Sequence, residues 1–216
     1  MRHAVPTLLT VVLVVTLVGA APIDETTPVP PDQLTPGKAL VSADRTTETY
    51  GGSGSPFSGA PRERGNVFSV SSPANITLME WYLDVPSTET IYFCIYRKTN
   101  DGTVTGTYDQ DFITSVSTST AGPDWVSSGT ISYTLDPAYY YYLSVAWDTV
   151  SCTYYRGSET TPFPTGFGDL LTGIPGGSGH ATTWNNTSYT TGAYSPYYQR
   201  LTFDIVPVEL QSLTIE

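Results

Sequence analysis

The chain offers few residues that could carry out nucleophilic catalysis. A Ser-His-Asp triad would have to use His180, because the other histidine, His3, lies in an N-terminal export signal described below. Serines flanked by glycine occur at 52–54 and 177–179, but neither segment has the strand–turn–helix context that a nucleophile elbow requires. We therefore predict no serine hydrolase activity.

Two pairs of carboxylates could support acid–base chemistry or metal binding. Glu80 with Asp84, and Asp109 with Asp111, each lie on one face of a predicted strand, whereas glycosidases hold two carboxylates at a defined separation. The Asn-Asp-Gly turn at 100–102 could join Asp109 and Asp111 in supplying oxygens to Ca²⁺, but the spacing matches no dedicated calcium loop. Solvated surface carboxylates explain these groups, so we predict a protein that is not an enzyme and holds no metal or cofactor.

Aromatic residues are the one enriched feature. Four tyrosines occupy 139–142, and because successive residues of a strand face opposite sides, this run cannot be wholly buried. We expect Leu143 and Trp147 to face the core, and Tyr140 and Tyr142 to form an exposed face. Flat rings with a polar edge suit both sugars and protein contacts. Strand propensity and cross-strand pairing offer a purely structural alternative.

A long connection, 163–196, is rich in Gly, Thr, Ser, Tyr and Asn and contains a Trp-Asn-Asn-Thr segment at 184–187. Connections of this length are usually functional or mobile. Together with the tyrosine face, it supplies the candidate ligand-binding residues Tyr140, Tyr142, Trp184, Asn185 and Tyr189.

Apolar residues alternate with period two from Asn66 onward, which predicts short strands. The predicted strands are 66–71, 76–84, 90–98, 108–116, 130–135, 139–147, 152–155 and 199–206. Since no segment has helical spacing, we predict an all-β fold, an antiparallel two-sheet β-sandwich of jelly-roll type. An immunoglobulin-like sandwich competes, but Trp81 precedes Cys94, and Val150 rather than tyrosine lies two residues before Cys152.

The segments outside the predicted sandwich have distinct compositions. Residues 1–20 combine a basic start, an apolar run and small residues, which predicts a secretory signal peptide; an anchored N-terminal helix is the alternative. The Pro-, Gly- and Ser-rich residues 21–63 predict a disordered linker. The sandwich is expected over 64–206 and a tail over 207–216. We therefore predict an extracellular protein with no membrane span after signal cleavage.

Charge and cysteine content narrow the possible partners further. The net charge of −11 argues against nucleic acid and anionic membrane surfaces, which attract basic proteins. The two cysteines, Cys94 and Cys152, both fall in predicted strands. An oxidising compartment favours a disulfide between them, and two buried free thiols are the alternative. Together with His180, the one histidine outside the predicted signal peptide, the two cysteines lack the ligand spacing of a zinc site.

Several aromatic and glycine motifs resemble a known module. They are Arg64–Phe68, Trp81–Leu83, Tyr139–Trp147, Thr153–Tyr155, Phe167-Gly168 and Tyr197–Leu201. The region 64–203 resembles an uncharacterised β-sandwich of secreted bacterial proteins, similar in style to carbohydrate-binding and lectin-like jelly rolls. The resemblance implies no catalytic residue. The tail from Val206 is similar to the linker before sorting domains of type IX-secreted bacterial proteins.

These observations lead to two functional hypotheses. The first is a secreted, non-catalytic module that binds glycans at the cell surface or in the extracellular matrix. The second is a structural or adhesive subunit that self-associates or contacts another surface protein. A groove or loop rim with nearby Asn and Asp would favour sugars, whereas a broad flat patch or open sheet edge would favour assembly.

Overall fold

The computed structural model describes residues 45–206, and its regular structure in that range is entirely β-strand. The strands are β1 (Arg45–Tyr50), β2 (Ser55–Gly59), β3 (Arg62–Val70), β4 (Ala74–Asp84), β5 (Glu89–Thr99), β6 (Gly106–Thr118), β7 (Asp124–Ser127), β8 (Tyr133–Leu135), β9 (Tyr139–Trp147), β10 (Cys152–Arg156), β11 (Phe163–Thr165), β12 (Gly168–Pro175), β13 (Thr183–Asn186) and β14 (Gln199–Ile205). The all-β prediction is confirmed. The predicted signal peptide, the first part of the linker and the tail lie outside the described residues.

The first sheet, sheet A, is organised around β4. One edge of β4 pairs with β14 along residues 74–81 and then with β10 at Leu83 and Asp84. The opposite edge pairs with β8 and β7. Strand β1 pairs with β14, and β2 pairs with β10. All of these pairs are antiparallel. Four strands, β7, β8, β10 and β14, thus converge on the two edges of β4.

The second sheet, sheet B, has the strand order β11-β12-β3-β9-β5-β6-β13, and its pairs are also antiparallel. Its centre is formed by β3, β9 and β5, whose residues are mostly buried. Strands buried on both faces must be covered on both faces, so sheet B needs a second layer in addition to sheet A.

The inner core lies between the two sheets, and the alternation along β9 defines it. Leu143, Val145 and Trp147 pack in this core, whereas Tyr140 and Tyr142 lie on the opposite face of sheet B. Both orientations agree with the sequence-based expectation. The antiparallel two-sheet sandwich is thereby confirmed, while the jelly-roll connectivity stays a prediction.

A second apolar cluster, the outer cluster, covers the other face of sheet B. It consists of Val67, Cys94, Tyr96, Val104, Tyr108, Tyr140, Tyr142, Leu171, Ile174 and Trp184. Its cover comes partly from β13, which pairs with the edge strand β6 and carries Trp184. The ring of Tyr142 lies directly on the backbone of β3 at Gly65, where a Cβ atom would overlap it. Gly65 is therefore required for the close packing of this layer.

Two segments differ from the sequence-based expectations. Residues 45–59, expected to be linker, form β1 and β2, and Tyr50 is buried in the inner core. The connection 163–196 contains β11, β12 and β13. Both segments are rich in glycine, proline or serine, which are poor strand formers, so composition hides their strand character. In addition, β1, β2 and β12 pair with strands that are distant in sequence.

The predicted disulfide is not formed, and both cysteines are buried free thiols. Cys94 lies on β5 in the outer cluster, whereas Cys152 lies on β10 in the inner core. The side chain of Cys94 therefore points away from sheet A, to which Cys152 belongs. A bridge would require β5 to reverse its faces, which would remove Phe93 and Ile95 from the inner core.

We expect neither thiol to react with a thiol reagent in the native protein, and both to react after unfolding. Burial raises the pKa of Cys94 and of Cys152 to about 12, and the thiolate is the reactive form. Titration of unreduced protein with and without denaturant measures this, and Cys94→Ala should leave one titratable thiol. Denatured, unreduced protein with no titratable thiol would contradict the arrangement.

Candidate functional site

The sequence-predicted tyrosine face is not a solvent-exposed surface. Tyr142 is 0% exposed and Tyr140 is 8% exposed. The indole ring of Trp184 stacks on Tyr142 with centroids 4.2 Å apart and lies 5.2 Å from the ring of Tyr108. Because Trp184 is itself only 8% exposed, its contacts are those of a packed core residue. The expectation of an exposed face at Tyr140 and Tyr142 is therefore wrong.

The other two predicted site residues lie near the surface. Asn185 is exposed on β13, where its backbone is in register with Thr107. Tyr189 is partly exposed, and its ring lies 5.2 Å from that of Tyr194. The buried Asn186 donates to the carbonyl oxygen of Tyr189 at 2.7 Å and holds this turn in place. The structure thus does not gather the five predicted residues into one surface.

A different set of aromatic residues gathers on the solvent face of sheet A. Tyr82, Trp125, Tyr155 and Tyr198 are all partly exposed, and we refer to them as the aromatic platform. Tyr82 lies at the centre, on β4, with Trp125 directly opposite on β7. Tyr155 belongs to β10, and Tyr198 immediately precedes β14. The platform therefore depends on the convergence of three neighbouring strands on β4.

The rings of the platform touch each other without being coplanar. The centroid of Tyr82 lies 5.4 Å from Trp125, 5.2 Å from Tyr155 and 5.0 Å from Tyr198. Trp125 and Tyr198 are 4.8 Å apart, and interplanar angles throughout are 56–63°. Tilted contacts of this kind are favourable between aromatic rings. They also make the surface corrugated rather than flat.

An ion pair holds one side of the platform. Arg200 donates from Nε and Nη2 to the two carboxylate oxygens of Glu80 at 2.6 and 2.7 Å, a bidentate arrangement. The guanidinium carbon of Arg200 also lies 4.4 Å from the ring centroid of Trp125. Hydrogen bonding to Glu80 raises the pKa of Arg200, so the cation persists at any physiological pH. Trp125 is thus held in place by a cation–π contact.

Polar groups around the platform are available to a ligand. Within residues 45–206, the hydroxyl groups of Tyr82, Tyr155 and Tyr198 have no side-chain hydrogen bond. Asp84 follows the inward Leu83 and lies close enough to Tyr155 to reinforce the effect of burial, which raises the pKa of that tyrosine. Ring faces beside free hydroxyl and carboxylate groups can accommodate a sugar by stacking and hydrogen bonding.

Three of the carboxylates considered for catalysis or calcium binding, Glu80, Asp101 and Asp111, are engaged by cations. Glu80 is committed to Arg200. Asp101 accepts from the ammonium group of Lys98 at 2.5 Å, and Asp111 lies 3.0 Å from a guanidinium nitrogen of Arg97. Within the described range 45–206, no group of three or more His, Cys, Asp and Glu side chains is placed to hold a metal ion.

Glu63 is a buried carboxylate on the outer face of sheet B and is in no ion pair among residues 45–206. Glu63 is 1% exposed and accepts a hydrogen bond from the Ser144 hydroxyl at 2.7 Å. Burial raises its pKa to about 7, although hydrogen bonds from Ser144 and Tyr96 and the charge of Arg64 oppose the shift. Since the outer cluster separates Glu63 from solvent, this group acts on stability rather than on a ligand.

Comparison with known proteins identifies no family. No protein-family model and no curated protein matches the chain. Among solved structures, it is similar to one containing the cysteine protease and lectin-like domains of Cwp84, a surface-layer-associated protein of Clostridium difficile. That match has 12% identity and a TM-score of 0.43, and covers 74% of this chain but only 36% of that one. Over residues 45–206, no helix is long and apolar enough to span a bilayer.

The platform could have been found in part from sequence. Trp81 and Leu83 alternate with Tyr82, so an inward tryptophan implies an outward tyrosine. The same reasoning places Tyr155 opposite the inward Cys152 and Tyr154. Trp125 carried no such signal, because β7 is only four residues long and was not predicted as a strand.

Proposed function

We propose that this protein is an extracellular, non-catalytic module that binds glycans on the aromatic platform of sheet A. The observation that carries the proposal is the cluster of four partly exposed rings with centroids within 5.4 Å of a neighbour. The export signal predicted from residues 1–20 supports a location at the cell surface or in the matrix, where such ligands occur.

The chemistry of the platform supports a sugar ligand. The apolar face of a pyranose ring can stack on Trp125 or Tyr82, while its hydroxyl groups meet the tyrosine hydroxyls and the nearby Asp84. No group in this arrangement needs to transfer a proton. Glu80, whose partner Arg200 also contacts Trp125, is occupied by that bidentate ion pair, which supports binding rather than hydrolysis.

A glycan array probed with wild-type protein and with Trp125→Ala tests the proposal. We expect the wild-type protein to bind a subset of glycans and Trp125→Ala to bind them at least about tenfold more weakly, since loss of a central aromatic contact costs more than 1 kcal/mol. Ile113→Ala is the matched control, because Ile113 is 41% exposed on β6 of the other sheet. Equal losses in both variants, or no binding by the wild-type protein, would contradict the proposal.

Self-association is the second candidate function, and the position of the platform favours it. The rings lie on a sheet face rather than in a groove, and exposed aromatic faces also support protein contacts. Sedimentation of the wild-type protein over a range of concentrations distinguishes the two functions. If the wild-type protein binds no glycan on the array and forms oligomers that Trp125→Ala abolishes, assembly replaces glycan binding as the proposed function.

A further inference from the structure

A pocket at the opening between the two sheets contains two arginines. It has a cavity volume of about 130 Å³. We refer to it as the cationic pocket. Its principal lining residues are Phe57, Arg64, Tyr154, Arg156, Tyr194 and Tyr197. Arg64 comes from β3 of sheet B, and Phe57 and Arg156 come from β2 and β10 of sheet A. Both sheets and the segment before β14 therefore contribute to it.

Arg64 is a buried cation whose hydrogen-bonding capacity is not filled. It is only 8% exposed. One terminal nitrogen donates to the carbonyl oxygen of Glu63 at 2.6 Å, and the other donates to the hydroxyl of Tyr154 at 2.9 Å. The buried Nε has no partner within the described residues. A buried guanidinium with no carboxylate within 4.0 Å among residues 45–206 is costly, so this position favours an anion.

Arg156 places a second guanidinium in the same pocket between two exposed rings. Its guanidinium carbon lies 5.3 Å from the ring centroid of Phe57 and 5.3 Å from that of Tyr194. These rings are 40% and 38% exposed. Both arginines oppose the increase in the pKa of Tyr197 that burial causes, so both act on the same small volume. Two like charges that line the same pocket are stabilised by an anion bound in it.

The charge inventory of the chain singles out this pocket. Within residues 45–206, four cationic side chains lie within 4.0 Å of a carboxylate, and these are Arg45, Arg97, Lys98 and Arg200. The three without such a partner in that range are Arg62, Arg64 and Arg156, and two of them line the pocket. In a protein of net charge −11, two arginines in one pocket with no carboxylate partner in that range make a local positive site on an otherwise acidic molecule.

We propose that the cationic pocket binds the carboxylate of an acidic sugar, so that the module selects glycans that carry uronic acid residues. This inference rests on the proposed function, because it takes the ligand to be a glycan. Arginine suits a carboxylate through its planar fork of N–H donors. The exposed rings of Phe57 and Tyr194 at the rim offer apolar faces to the sugar ring, which an acidic peptide side chain would leave unused.

Calorimetric titration with D-glucuronic acid, glucose and a short glutamate-containing peptide tests the inference. We expect wild-type protein to bind glucuronic acid and not glucose, with an affinity that falls as salt increases. Arg156→Gln should weaken this binding at least about tenfold, as expected for loss of a charged hydrogen bond. Arg62→Gln is the matched control, because Arg62 also lacks a carboxylate partner in the described range but does not line the pocket.

Each outcome decides the inference separately from the proposed function. Equal binding of glucose and glucuronic acid, no binding of glucuronic acid, or equal loss in Arg62→Gln would overturn it. Tighter binding of the peptide would replace the sugar by an acidic protein ligand. If the protein binds neutral glycans on the array, Trp125→Ala loses that binding, and glucuronic acid does not bind, the proposed function stands and the acidic-sugar inference fails. Loss of glucuronic acid binding in Arg156→Gln but not in Trp125→Ala supports it.

Discussion

Replacing Trp184 with alanine is expected to lower the free energy of unfolding by about 3–5 kcal/mol. Trp184 is 8% exposed and covers the outer cluster, where it stacks on Tyr142 at 4.2 Å. Its loss leaves a cavity above Tyr142 and opens the layer that buries Cys94. Equilibrium unfolding in urea measures the loss, and faster reaction of a thiol reagent with the native variant should accompany it.

Trp125→Ala is the matched control for this effect. Trp125 is also a tryptophan on a four-residue strand, but it is partly exposed on the aromatic platform. We expect Trp125→Ala to lose less than half as much stability as Trp184→Ala, because folding removes less of the apolar area of Trp125 from water. If Trp184→Ala kept its stability and instead lost ligand binding, the role of Trp184 as a ligand-binding residue would return.

Glu63→Gln is expected to make the protein more stable at alkaline pH and to flatten the pH dependence of its stability. The pKa of Glu63 is raised by burial from 4.5 to about 7, so the folded state binds the proton more tightly than the unfolded state. Its stabilising contribution is complete below the unfolded pKa and is lost as pH rises through about 7. The whole shift corresponds to roughly 3 kcal/mol. Urea unfolding at pH 5.5 and pH 8.5 measures the difference.

Glu89→Gln provides a control with the opposite sign. Burial acts to raise the pKa of Glu89, but hydrogen bonds from Thr149, Val150 and Thr90 outweigh it, so its pKa is lowered. Its stabilisation is present above the unfolded pKa and is lost as pH falls, so Glu89→Gln should destabilise the protein at both pH values. A Glu63→Gln variant that is less stable than wild type at pH 8.5 would contradict the burial of a titrating carboxylate.

The features predicted from sequence are those that depend on local alternation. In β9, inward Leu143, Val145 and Trp147 alternate with outward Tyr140 and Tyr142, and the predicted strand 139–147 matches the observed one. The period-two pattern determines which side chains share a face, and burial of one face then fixes the register. The strands and the sandwich class follow from that pattern.

The exposure of a face, in contrast, depends on distant segments. Whether Tyr142 meets solvent depends on Trp184, forty-two residues later, and on the pairing of β13 with β6. Neither contact leaves a periodic signal, because β13 has only four residues. The platform likewise requires β7, which carries Trp125, and β10, which carries Tyr155, to pair with β4, and no local pattern identifies these partners. Tyr140 and Tyr142 therefore lie on the strand face that the alternation predicts, but beneath a layer that sequence did not reveal.

Hydroxyl-radical footprinting with and without a glycan selected on the array tests the central claim most directly, because it reports which aromatic side chains a ligand covers. We expect the glycan to protect Tyr82, Trp125, Tyr155 and Tyr198 from oxidation, and Trp184 to be protected in both states because it is already buried. Protection confined to residues 184–189, with the platform oxidised equally in both states, would contradict the assignment of the ligand site to sheet A.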